Sequence, residues 1–442
     1  MSTERRPLGM WVLGILVLKI AVALWVVPQF KGDIRQLYSI GHVDNYYSIA
    51  KNIENGNGYR FSPDTSLTLM REPGYPYFLA GVRHICDYFD GVDYQKVAVV
   101  VNIVFTSVCA LLVYQLAQLL TSAQRVPLIA AILFMLHPGV ILSELRNGVE
   151  VPFTLLLLIF LLIVRLALRT QRTIDYVKAG IALGVVSCVR STALLFPSFL
   201  IIHGLLFDGG WRSIPRSAAR AALIFACALL VLSPWIVRNY QLVGKFIPTA
   251  SVQGVAMHAG YYICTHEGGQ KSFSELDDEA AGVRNELAAE HGYRFKAYYY
   301  QYFYDPKDEV TFNNLLASQV VDQYVHSPSL FVKCASENAF NFWFRGKNEA
   351  VTIANICIQL PYMLLAVAGL LYGFRQMDRP TLGLLLLFML YTVGVYVPIH
   401  AQARYSMALI PILSILAAIP IARFIALRWR GAAGAEPPSV QP

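Results

Sequence analysis

Runs of apolar residues separated by short polar segments recur along most of the chain, with lengths near the roughly 20 residues a helix needs to cross a bilayer core about 30 Å thick. Ten membrane-spanning helices are predicted, over residues 8–28, 96–120, 126–142, 151–168, 176–189, 192–207, 218–235, 351–374, 381–398 and 405–425. The first follows Arg5 and Arg6 without a small-residue cleavage site, and reads as a retained anchor rather than a signal peptide. The fifth and sixth runs are short, because Arg190 and Ser191 interrupt them. A single span there would put Arg212, Arg216 and Arg220 on the opposite side from Arg165, Arg169, Arg172 and Lys178, so the positive-inside tendency favours two short helices with Arg190 at the outer turn. A charge at such a break is tolerated only against protein or a water-filled cavity.

The expected fold class is therefore an all-α polytopic membrane protein with about ten transmembrane helices. Its segments are a first helix (1–28), an outer loop with juxtamembrane helices (29–94), helices two to seven (95–237), a larger outer loop (238–350), helices eight to ten (351–425) and a cytoplasmic tail (426–442). Outer loops of that length usually carry function or structure of their own.

Composition agrees: of 442 residues, 56% are hydrophobic and 14% charged, against about 25% charged in soluble domains. This excludes a soluble or disordered chain. The net charge of +8 would suggest nucleic acid in a soluble protein, but divided by side it leaves +10 on the inner segments and −3 on the outer ones, with Lys19 inside a span. The basic balance is topology, and no nucleic-acid partner is implied. Cys109, Cys188, Cys227 and Cys357 fall in spans; Cys86, Cys264 and Cys334 lie outside, where Cys264 and Cys334 are one candidate disulfide pair. His258 and the His266-Glu267 pair match no strong metal spacing, and scattered packing histidines are the simpler reading.

Candidate chemistry concentrates in the first outer loop. Asp44 opens a short helix with Tyr47 and Ala50 on one face, followed by Asn55-Gly56-Asn57-Gly58-Tyr59 and then by Arg71-Glu72-Pro73-Gly74-Tyr75-Pro76. An acidic residue just after a first span suits a general base, and it equally suits an N-cap. Eight aromatics between Tyr293 and Tyr304 stack on sugar, lie on the membrane or form the core of the large loop.

The order of a first span, the D-x-x-Y-x-x-A loop, N-G-x-G-Y and R-E-P-G-Y-P resembles the bacterial GT-C class membrane glycosyltransferases, in the group of protein O-mannosyltransferases and the lipid A aminoarabinose transferase. His137-Pro138 to Glu150, Arg190 to Pro197, Pro234-Trp235-Ile236-Val237-Arg238-Asn239-Tyr240 and Arg404-Tyr405 to Pro411 are similar to later motifs of that group. The resemblance implies inverting transfer of a hexose or pentose from a polyprenyl-phosphate-linked sugar donor to a glycan, lipid or protein acceptor, at the periplasmic face of the bacterial inner membrane. It implies no required cofactor, with a divalent metal left open. Asp44 is the expected catalytic base. Arg71, Glu72, Glu150, Arg190, Arg238, Arg404 and Tyr47 are the expected substrate-binding residues, the arginines for their planar donor fork. For Arg238 anchoring the large loop is the stronger expectation, and Glu150 is either a helix N-terminal carboxylate or a sugar ligand. The rival readings are a ligase or polymerase using a diphosphate-linked donor, and a secondary transporter, which would place its ionisable groups at the membrane midplane.

Overall fold

The computed structural model describes residues 5–29, 45–89, 91–146, 148–266 and 271–433. It is almost wholly helical. In chain order the helices are α1 (Arg5–Ala21), α2 (Tyr46–Glu54), α3 (Gly74–Cys86), α4 (Tyr94–Leu120), α5 (Arg125–Leu136), α6 (Pro138–Arg146), α7 (Glu150–Thr170), α8 (Thr173–Val189), α9 (Phe199–Phe207) and α10 (Ile214–Val243). The large loop adds α11 (Gln253–His266), α12 (Phe273–Glu290), a two-stranded antiparallel ribbon of β1 (Phe295–Lys296) and β2 (Tyr302–Phe303), α13 (Pro306–His326) and α14 (Pro328–Trp343). The chain ends in α15 (Glu349–Gly373), α16 (Arg379–Tyr396) and α17 (Ile410–Ala433).

Among the described residues seven helices are long and apolar enough to cross a membrane, or up to eight if the bent pair α5 and α6 is one span. Three of the ten expected spans, those at 126–142, 176–189 and 192–207, are not continuous helices of that length. The run at 126–142 is bent by 48° where His137 adopts an extended conformation before Pro138, since a proline disfavours helix at the residue before it. The region 176–207 forms two legs below spanning length: α8 of 17 residues, then 3₁₀ turns and α9. Arg220 lies 3.9 Å from Asp208 and 5.1 Å from the Tyr176 ring, so the start of α8 and the end of α9 share one end of the bundle. Arg190 is then the turn at the other end. The amides and carbonyls freed there find partners, because the Tyr391 hydroxyl donates to the Thr192 carbonyl (2.5 Å) and accepts from the Leu195 amide (3.2 Å).

α8 lies tightly along α10 because a Cβ on Gly180 would come within 2.5 Å of Cys227 and one on Gly184 within 2.5 Å of Val231. Lys19, expected as a lone mid-span charge, instead bonds Glu144 at 2.7 Å, and Thr106 also donates to that carboxylate. The pair ties the otherwise lipid-exposed α1 to α6.

The two loops share a second core, in which Ile49, Tyr59, Phe61 and Met70 pack against Trp235, Tyr300, Tyr302, Phe303 and Phe312. The aromatic run is thus mostly core, with Phe61 stacked on Tyr302 at 4.6 Å and Tyr298 and Tyr304 left exposed. Cys264 and Cys334 are joined by a disulfide that pins α11 to α14 across 70 residues of sequence. Glu309, in α13, is a buried polar link between the loops: it accepts from Thr68 Oγ1 (2.7 Å), the Leu69 amide (2.7 Å) and Ser251 Oγ (3.2 Å). Burial, which opposes the charged form and outweighs these bonds and Arg238, pushes its carboxyl up to about 7.

A carboxyl whose pKa rises on folding binds protons more tightly in the native state. Its contribution to stability is therefore greatest below the unfolded value of 4.5 and declines as pH rises towards 7. Melting curves of the detergent-solubilised protein between pH 5 and 8 are expected to show this decline, and Glu309→Gln to flatten it.

Candidate active site

The loops and the bundle enclose one cavity of about 610 Å³. On α6, residues Gly139, Leu142, Ser143 and Arg146 face it, at the spacing of a single helical face, while Val140 and Glu144 are buried. Glu150 enters from the first residue of α7, where a carboxylate is favoured by the helix dipole. Arg190 enters from the break between α8 and α9, and Arg404 from the seven-residue 3₁₀ run Ala403–Leu409 that precedes α17. Runs of that length are uncommon and often mark functional sites.

These side chains meet. Glu150 Oε1 lies 3.6 Å from Arg190 Nη1 and 4.0 Å from Arg404 Nη1, and it has no hydrogen-bond partner among the described residues. The Arg190 guanidinium sits over the rings of Tyr405 (4.7 Å), Tyr396 (5.7 Å) and Phe153 (5.8 Å). Such aromatic faces stabilise a cation away from water. A Cβ on Gly148 would lie 2.1 Å from Glu150 Oε2, so a side chain there would displace the carboxylate from its present position.

The R-E-P-G segment clamps the first loop onto the helix break. Glu72 Oε1 accepts from the Ser191 amide (2.9 Å) and hydroxyl (2.6 Å), and Gly74 packs so closely on the Cys188 carbonyl that a Cβ would reach 2.8 Å. Arg71 stacks on Tyr300 (4.4 Å) and Tyr46 (5.4 Å), bridging the two loops. Tyr59 OH fixes both residues by donating to the carbonyls of Arg71 (3.1 Å) and Glu72 (2.8 Å).

Five of the expected residues therefore line one cavity: Arg71, Glu72, Glu150, Arg190 and Arg404. Asp44 lies outside the described residues. Its chain neighbours Asn45, in the left-handed region at φ 58°, and Tyr46 line the same cavity. Tyr47 and Arg238, expected to bind substrate, do not line it. Tyr47 follows Tyr46 by one residue, which turns it about 100° around the helix. It accepts from Arg83 Nη1 (2.8 Å) and stacks on Tyr94 (5.6 Å). Arg238 lies over Trp235 (4.3 Å) and Tyr59 (5.3 Å) and donates to Asn239 Oδ1 (2.9 Å), at the root of the large loop.

Arg146, Arg345, Lys347, His400 and Gln359 line the cavity without having been singled out in the sequence. Only Arg146 left a legible signal, the helical spacing with Gly139, Leu142 and Ser143. Burial leaves His258 largely neutral, its pKa lowered to about 4. Among the described residues no three His, Cys, Asp or Glu side chains gather as metal ligands.

Residues 71–237 match the family described as dolichyl-phosphate-mannose-protein mannosyltransferase. That segment runs from the Arg71-Glu72 clamp through Arg146, Glu150 and Arg190, and leaves Asp44 and Arg404 outside it. Among solved structures the chain is similar to the oligosaccharyltransferase AglB of Archaeoglobus fulgidus in complex with an inhibitory peptide and a dolichol-phosphate, at TM-score 0.53 and 15% identity, covering 96% of this chain and 52% of that one. It is likewise similar to the Archaeoglobus fulgidus oligosaccharyltransferase tethered to an acceptor peptide containing the NVT sequon, at TM-score 0.52 and 16% identity, covering 96% and 51%. The chain thus spans about half the length of these structures. No curated protein matches it in sequence. The fold is that of the GT-C class of multi-pass membrane glycosyltransferases, the class its motifs resemble.

Removing the shared carboxylate leaves Arg190 and Arg404 facing each other with little water to separate them. Glu150→Ala is expected to destabilise the solubilised protein by about 3 kcal/mol, the scale of a broken buried pair. Adding Arg404→Ala is expected to recover part of that loss in a double-mutant cycle read by chemical denaturation.

Proposed function

We propose that the protein is an inverting glycosyltransferase that moves a sugar from a polyprenyl-monophosphate donor to an acceptor hydroxyl at the periplasmic face of the bacterial inner membrane. The observation that carries this reading is the convergence of Arg146, Arg190 and Arg404 on one cavity wall, where Glu150 is the nearest counter-charge among the described residues. These three guanidinium groups place fixed positive charge along that wall.

The chemistry calls for such fixed charge. The acceptor oxygen attacks the anomeric carbon, the carbon–oxygen bond to phosphate breaks on the opposite face, and the configuration inverts. A sugar phosphodiester carries one negative charge and the departing polyprenyl phosphate approaches two, so fixed guanidinium groups hold the leaving group more tightly as charge develops. Asp44 takes the acceptor proton as the new bond forms; its neighbours Asn45 and Tyr46 at the cavity support that role. Glu72 holds Ser191, and through it the turn that presents Arg190.

The lining suits two substrates. Gly139 and Leu142 of α6, Gln359 of α15, and Met407 and Ile410 lie on the side of the spanning helices, where the polyprenyl tail would pass. Towards the large loop the cavity is walled by Asp277, Tyr299, Tyr300, Arg345 and Lys347, where a glycan, lipid or protein acceptor would enter. The basic cluster of Arg172, Arg212, Arg216 and Arg220 lies at the opposite end of α8 from Arg190, and the positive-inside tendency then supports a periplasmic cavity.

The test is transfer by purified protein from polyprenyl-monophosphate sugars. Asp44→Asn is expected to lower turnover by about 10²–10⁴, the usual contribution of a general base, with donor binding retained. Arg190→Gln and Arg404→Gln are expected to weaken donor binding as well as turnover. Transfer is expected to persist in EDTA, since the arginines supply the charge. Near-normal turnover by Asp44→Asn would remove Asp44 as the base, and consumption of diphosphate-linked donors alone would favour a ligase or polymerase.

A further inference from the structure

At the end of the bundle remote from Arg190, the close glycine contacts between α8 and α10 at Gly184 and Gly180 give way, one turn earlier on the same face of α8, to Tyr176, with Arg220 of α10 over its ring. A cleft of about 330 Å³ lies there, lined by Gln171, Thr173, Tyr176, Arg216, Arg220 and Leu223. α8 is 17 residues long, so this cleft lies about 20–25 Å from the Arg190 turn and is separate from the arginine cavity.

Three features of the cleft ask for an anion. The Tyr176 side chain is buried at 2% exposure, lines the cleft, and its hydroxyl has no hydrogen-bond partner among the described residues. A buried unpaired hydroxyl is costly and normally finds an acceptor. Arg216 lines the cleft, is exposed, and has no carboxylate partner among the described residues. The nearby carboxylates are already engaged, Asp208 with Arg220 (3.9 Å), and Asp175 with Thr170 (2.7 Å) and Lys178 (3.5 Å). The amino-terminal ends of α8 and α10 both face this region, which adds partial positive charge.

We propose that this cleft binds the phosphate headgroup of an anionic phospholipid. The Tyr176 hydroxyl donates to a phosphate oxygen and the Arg216 guanidinium neutralises its charge, with Arg220, which also faces Asp208, at the cleft's edge. The surroundings select a lipid over a free anion. Ile174, next to Thr173, and Trp211, just before α10, are 55% and 78% exposed, as side chains at a bilayer interface are. Leu223 continues the cleft towards the apolar part of α10. Basic pockets between spanning helices on the cytoplasmic side are a recurring way to hold such headgroups.

The experiment uses the full chain in nanodiscs and in detergent, with Tyr176→Phe, Arg216→Gln and the double variant, none of which touches the arginine cavity. Native mass spectrometry is expected to show phosphatidylglycerol retained by the wild type in preference to phosphatidylcholine, and retained about tenfold less by the double variant, the scale of hydrogen bonds to a charged group. Unchanged melting of the variants in lipid-free detergent would show that the fold is intact. Equal retention by wild type and double variant overturns the proposal. So does stabilisation by inorganic phosphate equal to that by phosphatidylglycerol, which would assign the cleft to a free anion.

Discussion

Glu150 holds two arginines inside a membrane protein, and most of the site follows from that arrangement. A guanidinium withdrawn from water requires a counter-charge, and Arg190 and Arg404 share one carboxylate at 3.6 and 4.0 Å. Arg146 lines the same wall, so three guanidinium groups gather at the cavity. Desolvation makes their charge consequential, since electrostatic attraction is stronger where water is excluded. Aromatic faces at Phe153, Tyr396 and Tyr405 hold Arg190 without neutralising it.

Positioning these groups requires a broken helix and a set of clamps. A continuous helix from 173 to 207 would give Arg190 regular helical geometry inside a packed bundle. The break presents it at a turn instead, and the polar groups released by the break are satisfied by Glu72 from the first loop and by Tyr391 from α16. The Lys19–Glu144 pair holds α6 from its other side, so that Gly139, Leu142, Ser143 and Arg146 form the cavity wall. Glu309 then joins the two loops that roof the cavity.

What the sequence made legible was mainly local. The interruption at Arg190 and Ser191 was visible as a charge between two half-length apolar runs, and positive-inside bookkeeping assigned it to a turn. The gathering of Arg71, Glu72, Glu150, Arg190 and Arg404 followed from the order of motifs, not from periodicity. Partners distant in sequence were not legible. Nothing near Lys19 announces Glu144, 125 residues away, and whether Cys264 and Cys334 join depends on how α11 and α14 are packed. Tyr47 does not line the cavity because a residue's presence in a motif does not state its direction, whereas Arg238 sits at the root of the large loop, where anchoring is the stronger expectation. One step along α2 turns Tyr47 from the cavity towards Arg83 and Tyr94, and Arg238 follows its aromatic neighbours to the loop root. Arg146 shares a legible helical spacing with Gly139, Leu142 and Ser143, but its direction depends on the bend at Pro138, where hydropathy alone extends one span.

The account centres on the phosphate of a lipid-linked donor resting against the arginines around Glu150. A high-resolution structure of the protein with a non-transferable polyprenyl-monophosphate sugar analogue tests it most directly. The expected result is phosphate oxygens within hydrogen-bonding distance of Arg190 and Arg404, the polyprenyl tail passing between α6 and α15, and the anomeric carbon turned towards Asp44. A phosphate bound elsewhere, with the Arg190–Glu150–Arg404 cluster unchanged and unoccupied, would contradict it.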